Sequence, residues 1–532
     1  MTIKTYRNAL NPSTTPQSRP VPGREAEMVR NAAGGYVFQL DDWNLLDRFL
    51  ILGTEGGTYY ANERDHTVLA TDALMRLTAD DANGARLVQR IVEVSARGRA
   101  IRNTAAIVAL AYVSKKAPGV ETRRMAYKSL PTVARTGTDL FAWAEMIQTF
   151  GGWSRGARRA VDEWYKSLPD DRLGYQLVKY RQRNGWTHRD MLRLAHATPR
   201  PLLGWAAGKP SDEAWLAPPV VVGFEHAQAA MTAKETARLI REYRLPREAV
   251  KPEHLHDPAV WEALLQDMPV FALIRNLGNL TKAGVIAPLS DGTKRTLELL
   301  GSPTRIQKSR VHPFAILLAL RTYAQGHGDR GKGRWTPVQP VIDALNAAFY
   351  TAFGNVEPTN KRIVVAIDTS GSMSGWQPYG GDGSMSTAEL AAAMALVVVK
   401  TEPNVHVVGF DTDTRPLNIS GAQRIDDVMR ITRKYTGGAT DFASVFAYAE
   451  REGIHADAFV SYTDGETWCG WRHPFQAMRH YRQTMVSDAR MVNAAMTATN
   501  TRLSDETDPL ALECIGLDAA LPQAIASFIG GM

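Results

Sequence analysis

Cysteine is nearly absent: Cys469 and Cys514 are the only two in 532 residues. Two thiols build neither a disulfide framework nor a cysteine-rich metal site, so a reducing cytoplasm is the expected home. Long apolar runs are missing as well. None reaches the roughly 18 residues that span a bilayer. The opening "MTIKTYRNALNPSTTPQSRPVPG" has no apolar core that could serve as a secretory signal. A cytoplasmic protein with no membrane partner is expected. Nucleophile patterns are lacking too. "GSMSG" puts Met373 at the centre, where a serine elbow needs Gly-x-Ser-x-Gly. A phosphoacceptor aspartate would want a second Asp two residues after Asp368, and Ser370 stands there. "GHGDRGKG" (326–333) has Gly326, Gly331 and Lys332 at phosphate-loop spacing, but Gly333 occupies the place of the Mg2+-binding Ser or Thr, and a helical segment precedes it. The expectation is that the protein is not an enzyme.

The chain is long enough for two or three domains, and at 44% hydrophobic residues it can bury a core without staples. Its net charge of +7 is unevenly spread. Residues 84–200 hold 22 Lys and Arg against 9 Asp and Glu, so the remainder is net acidic. One positive segment in an otherwise acidic chain is the footprint of a polyanion binder.

Residues 1–23, rich in Ser, Thr, Pro and Asn, read as a flexible arm. From about Asp42 to Tyr350, runs such as "RLVQRIVEVSARG", "TAAIVALAYVSKK" and "VHPFAILLALRTYAQ" repeat apolar residues at three- and four-residue spacing between short Gly, Pro, Asn or Asp breaks. Paired helices on this scale predict an α-solenoid or bundle array over 24–355. The pattern changes after "FGNVEPTNK". "KRIVVAID" (361–368), "VHVVGF" (405–410) and "ADAFVSY" (456–462) are buried strands alternating with helices at 387–401, 426–432 and 441–452. That alternation predicts a parallel sheet covered by helices over 360–532, with any ligand at the strands' C-terminal ends.

Such a strand end carries "DTSGS". Asp368, Ser370 and Ser372 supply a carboxylate and two hydroxyls; "GGATD" places Thr440 in a Gly-rich loop, and "YTDGET" places Asp464 just past a buried strand. Hard divalent cations take such oxygen donors, so a divalent metal is the expected cofactor. These pieces resemble the metal-ion-dependent adhesion site of von Willebrand factor A domains, which implies Mg2+, with Mn2+ or Ca2+ as alternatives. The resemblance implies that Ser370, Ser372 and Thr440 coordinate directly, that Asp368 and Asp464 act directly or through water, and that a partner's carboxylate can fill an open position. Thr436 is the weaker candidate in the same loop.

The basic segment centres on "VKYRQRNGWTHRDMLRLAH" (178–196), with Lys179, Arg181, Arg183, Arg189 and Arg193 among aromatic residues. Thr187 and Asp190 form an N-cap pair, and the helix start beside His188 and Arg189 suits phosphate. Charge clustering adds Lys115, Lys116, Arg123, Arg124 and Lys128 as candidate RNA contacts. This segment resembles the TROVE module of the Ro autoantigen family. So do "TDLFAWAEMI" (138–147), "VWEALLQDMPVFALIRNLGNLT" (260–281), "DALNAAFYTAFGNVEPTNKR" (343–362) and "FVSYTDGETWCG" (459–470), in the family's order. The resemblance implies an α + α/β multidomain protein: an all-helical, HEAT-like repeat ring followed by a doubly wound von Willebrand factor A-like domain that holds the ring's ends together. It implies binding of small noncoding Y RNA on an outer basic surface, with His188 as a contact. Single-stranded 3′ ends of misfolded or immature RNAs would enter the hole, in company with exoribonucleases such as polynucleotide phosphorylase. A second reading is a metal-dependent protein-adhesion scaffold that captures an acidic partner residue.

Overall fold

The computed structural model describes residues 14–53, 63–100, 102–183, 185–209, 216–328, 333–354, 356–375, 386–497, 499–516 and 520–531. The chain separates into two units, residues 1–73 with 353–532 and residues 74–352.

The first unit is built on a six-stranded sheet. Its order is Ala511–Ile515, Arg490–Ala495, Ala458–Thr463, Ile363–Asp368, Val405–Phe410 and Thr414–Pro416. All neighbours are parallel except the last pair, which is antiparallel. Ile363–Asp368 is buried along its whole length, as an unbroken β-branched run must be when both faces are covered. Val364 and Ala366 share a core with Phe446 of the helix Ala443–Arg451 and Met478 of the helix Pro474–Thr484. Outside that core the helix Thr387–Thr401 packs on the same strand, started by a capping box between Ser386 and Glu389. From Ile363–Asp368 the chain runs first to one side of the sheet and then returns to the other, so the switch point lies at the ends of Ile363–Asp368 and Ala458–Thr463.

The amino-terminal region corrects two sequence expectations. Residues 14–23 are not a free arm, and the stretch from residue 24 opens on strands before its first α-helix, Asp42–Leu52. Gln17 is fully buried, and Met28–Arg30, Tyr36–Gln39 and Thr501–Arg502 form a three-stranded antiparallel sheet. The physical cause is polar as well as apolar. Arg24 lies 4.6 Å over the Phe38 ring and binds Asp505, with Nη2 to Oδ1 at 2.9 Å. Arg48, on the helix Asp42–Leu52, is buried against Glu513 at 3.0 Å.

The second unit is helical. Gly84–Ala96 turns Leu87, Val88, Ile91 and Val94 inward at helical spacing. Thr104–Lys116 packs against Gly137–Gly151, which starts with a Thr136–Asp139 capping box. Ala233–Tyr243 pairs with Pro258–Leu265, and Pro313–Ala324 with Gln339–Thr351. Late helices return to early ones: Arg310 Nη1 donates to Ala96 O at 2.8 Å across 214 positions. The phosphate-loop near miss follows the helix Pro313–Ala324, and its Gly331 and Lys332 lie outside the described residues.

Against the cost of burial, Arg24 and Thr507 hold the Asp505 carboxyl down to about 2. An unfolded aspartate titrates near 3.9. The resulting stability is fully present above about pH 4 and is lost as the pH falls toward about 2. Asp505→Asn is expected to cost about 1–2 kcal/mol at neutral pH and to remove that share of the acid loss, read by denaturant titration.

Candidate metal centre and basic surface

Two adjacent parallel strands end at the site. Asp368 closes one, and Asp464 follows the other directly. Asp368 is fully buried; its Oδ1 accepts from Ser370 N at 2.8 Å and its Oδ2 from Thr463 Oγ1 at 2.5 Å. Ser370 and Ser372 place their hydroxyl oxygens 3.0 Å apart, and the Ser372 hydroxyl helps to lower the cost of charge on Asp464. The third loop is stitched on through its backbone: Gly437 N donates to Thr369 O at 2.8 Å, and Gly371 N to Gly438 O at 3.2 Å. Gly438 has φ +73° and lies against Asp411, a conformation and a closeness that favour glycine.

The five predicted metal residues are thus brought onto three neighbouring loops. Thr440 Oγ1 is buried with no hydrogen-bond partner among the described residues, whereas Thr436 Oγ1 donates to Thr432 O at 3.3 Å. A buried hydroxyl without a partner is costly, so this oxygen is left as a donor that a bound group could use. Burial pushes both Asp368 and Asp464 above the usual carboxylate range, and the charge of Asp464 adds to the effect on Asp368. Glu466, which has no place among the residues singled out from the sequence, is buried nearby; burial and then Asp464 push its carboxyl up to about 8, and its Oε2 accepts from Ala33 N at 3.1 Å. Among the described residues no group of three His, Cys, Asp or Glu is arranged as a metal cluster. A cation here would therefore draw on the Ser and Thr oxygens together with two carboxylates, a donor set that fits a hard divalent ion.

The basic residues divide. Arg123, Arg124 and Lys128 on the helix Val120–Lys128 face Arg155, Arg159 and Lys166 on the helix Arg155–Lys166 across a groove of about 890 Å3 with one carboxylate, Glu163. The last three are not among the sequence candidates; their signal is the alternation of Arg with buried Ala and aromatic residues in "RGARRAVDEWYK". Lys116 and Lys128 are exposed, while Lys115 Nζ is engaged by Gly152 O at 2.8 Å. Arg181 is exposed over the Phe224 ring at 4.7 Å, and Arg189 and Arg193 are exposed. Lys179 leans on Tyr175 and Tyr180, and Arg183 Nη1 is bound by Gln182 O at 2.7 Å. Thr187 and Asp190 form the predicted capping box of the helix His188–Ala195.

His188 is a correction. It is 3% exposed, with Nδ1 2.8 Å from Tyr165 Oη and its ring 4.8 Å from Phe141. Burial drives its pKa down to about 3. A neutral imidazole enclosed by aromatic rings is a core residue and offers no charge to a phosphate. It still links the two basic clusters, because Tyr165 belongs to the helix that lines the groove.

This combination defines a helical module joined to an A-type α/β domain with buried carboxylates and hydroxyls gathered at its strand ends. Residues 29–235 and 244–322 match the TROVE domain, and residues 362–529 match the Ro60 vWA domain. The chain belongs to the Ro60 family. It is 38% identical over 537 residues to the RNA-binding protein RO60 of Deinococcus radiodurans, covering 99% of this chain and all of that protein. It is 28% identical to the RNA-binding protein RO60 of Caenorhabditis elegans, over 94% and 90% of the two chains. The crystal structure of the Deinococcus radiodurans RO (RSR) protein superposes with a TM-score of 0.70 at 37% identity, covering 92% of this chain and all of that one. No described helix is long and apolar enough to cross a membrane.

The burial of His188 has a pH signature. The unfolded histidine takes a proton near pH 6.5 while the folded one resists down to about 3. Stability should therefore fall by up to about 1.4 kcal/mol per pH unit below about 6.5. In His188→Phe that increment of slope should be missing when denaturation curves at successive pH values are compared with the wild type.

Proposed function

We propose that this protein is a cytoplasmic, non-catalytic RNA-binding scaffold for RNA quality control. It binds small noncoding Y RNA on the basic surface of its helical unit, together with single-stranded 3′ ends of misfolded or immature RNAs, and works beside an exoribonuclease such as polynucleotide phosphorylase. The groove between Val120–Lys128 and Arg155–Lys166 carries this reading: six cations line it, of which Arg124 and Lys166 are paired with Glu121 and Asp162. Arg181, Arg189 and Arg193 extend the contact. The RNA-binding activity named for the two relatives supports the same assignment. The strand-end site holds Mg2+ or a similar ion through Ser370, Ser372 and Thr440, with Asp368 and Asp464 in support. The ion would supply positive charge and an open coordination position. A second reading, protein adhesion at that position, is favoured by Trp468 and Trp471, which are 38% and 83% exposed just past Asp464.

Replacing Arg124, Arg155 and Arg159 together by alanine should weaken a structured small RNA at least about tenfold in gel shift. It should also reduce the salt slope by about 2, since each phosphate contact contributes about 0.7–0.9. Unchanged affinity and slope would move the RNA site elsewhere. Asp368→Ala should abolish Mn2+ binding in calorimetry without abolishing RNA binding; intact Mn2+ binding would remove the strand-end site as the metal centre.

A further inference from the structure

Gln17 lies outside both matched domains, yet it is fully buried in the unit that carries the metal centre. Each of its polar groups is used. Its N–H donates to Gly470 O at 2.9 Å, and its carbonyl accepts from Tyr36 N at 2.7 Å. Its side-chain Nε2 donates to Asp441 Oδ1 at 2.7 Å and to Arg472 O at 2.9 Å. Its Oε1 accepts from Thr467 Oγ1, and that hydroxyl lies 3.2 Å from Thr440 O. One amide therefore joins the loop that presents Thr440 to the loop that presents Asp464. The fit is tight: a Cβ at Gly470 would stand 2.2 Å from Asp441 Oδ1 and 2.3 Å from Gln17 Nε2. The same segment holds the second loop again through Asn31, whose Nδ2 donates to Thr467 O at 2.9 Å. A Cβ at Gly35 would lie 2.1 Å from that carbonyl.

From this geometry we infer that Gln17 is a positioning residue of the metal centre, so that the amino-terminal segment completes a site whose ligands all lie more than 300 positions downstream. The inference rests on the metal reading above. Gln17 touches no proposed ligand side chain. It acts through Asp441, next to Thr440, and through Thr467, three residues past Asp464. Partners of this kind, once removed from the metal, typically set affinity by about 10–100-fold because they fix where the ligands point. An amide suits this place in the structure. Its nitrogen can donate to both the carboxylate and a carbonyl while its oxygen takes the threonine proton.

The test is Mn2+ binding by the full chain, followed by electron paramagnetic resonance at one pH and at a temperature where every protein is folded. Gln17→Ala is expected to bind Mn2+ at least about tenfold more weakly than the wild type. Arg24→Ala is the control. It lies in the same segment, but its side chain holds Asp505 and Glu27, so it should lower the melting temperature and leave Mn2+ affinity unchanged. Equal affinity in Gln17→Ala and the wild type overturns the inference and leaves the metal reading standing. Equal losses in both variants also overturn it, by assigning the effect to general loosening of the segment. A wild type that takes up no Mn2+ overturns the metal reading and this inference with it. Should Gln17→Ala fail to fold, the isosteric Gln17→Glu keeps the Thr467 bond and loses the donors to Asp441 and Arg472. It is expected to show the same tenfold loss, and unchanged affinity there is equally decisive against.

Discussion

Two neighbouring parallel strands deliver Asp368 and Asp464 into one buried spot. Carboxylates this close, withdrawn from water, cannot both stay charged at low cost unless donors or a cation answer them. Much of the surrounding structure supplies that answer. Thr463 Oγ1 and Ser370 N donate to Asp368. The Gly437–Gly438 turn brings in Thr440, and the amino-terminal segment locks the 464–472 loop from outside. Removing the segment would free the loops and leave the buried carboxyls, so residues 14–23, which read as a loose arm, are held by the loops they brace.

The site and the central strands were legible because they are local. "DTSGS" is a contiguous run at the end of a β-branched strand, and Val405–Phe410 falls where the sequence places it. Arg490–Ala495 and Ala511–Ile515 were not legible, and the cause is visible in their polar interior. Asn493 Nδ2 donates to Glu513 Oε1 at 2.7 Å, and Arg48 pairs with the same glutamate. Polar residues that satisfy one another across strands interrupt the apolar run by which a buried strand is recognised. Gln17 was hidden for a related reason: its side-chain partners are 424 to 455 positions away, and nothing in "TPQSRP" announces them.

His188 shows the opposite error. A histidine at a helix start, between a threonine cap and an arginine, has the local look of a phosphate contact. The cap forms, but the ring lies in the core, because Phe141, Trp164 and Tyr165 arrive from other helices to enclose it. Exposure is a tertiary property, and charge clustering predicts it better for arginine than aromatic context does for histidine. Arginine rarely tolerates full burial without a partner, so Arg189 and Arg193 stay outside while His188 turns in as a neutral ring.

The division of charge gives the two units complementary roles. The cationic groove belongs to a segment with 22 basic and 9 acidic residues, and the metal centre to a remainder that is net acidic. A polyanion is drawn to the first by release of counterions and repelled by bare carboxylates at the second. Under the reading proposed above, a divalent cation at the second would cancel the charge of its two carboxylates without altering the groove. On that reading the strand-end site would change what approaches the α/β domain, while RNA affinity would still rest on arginines of two helices.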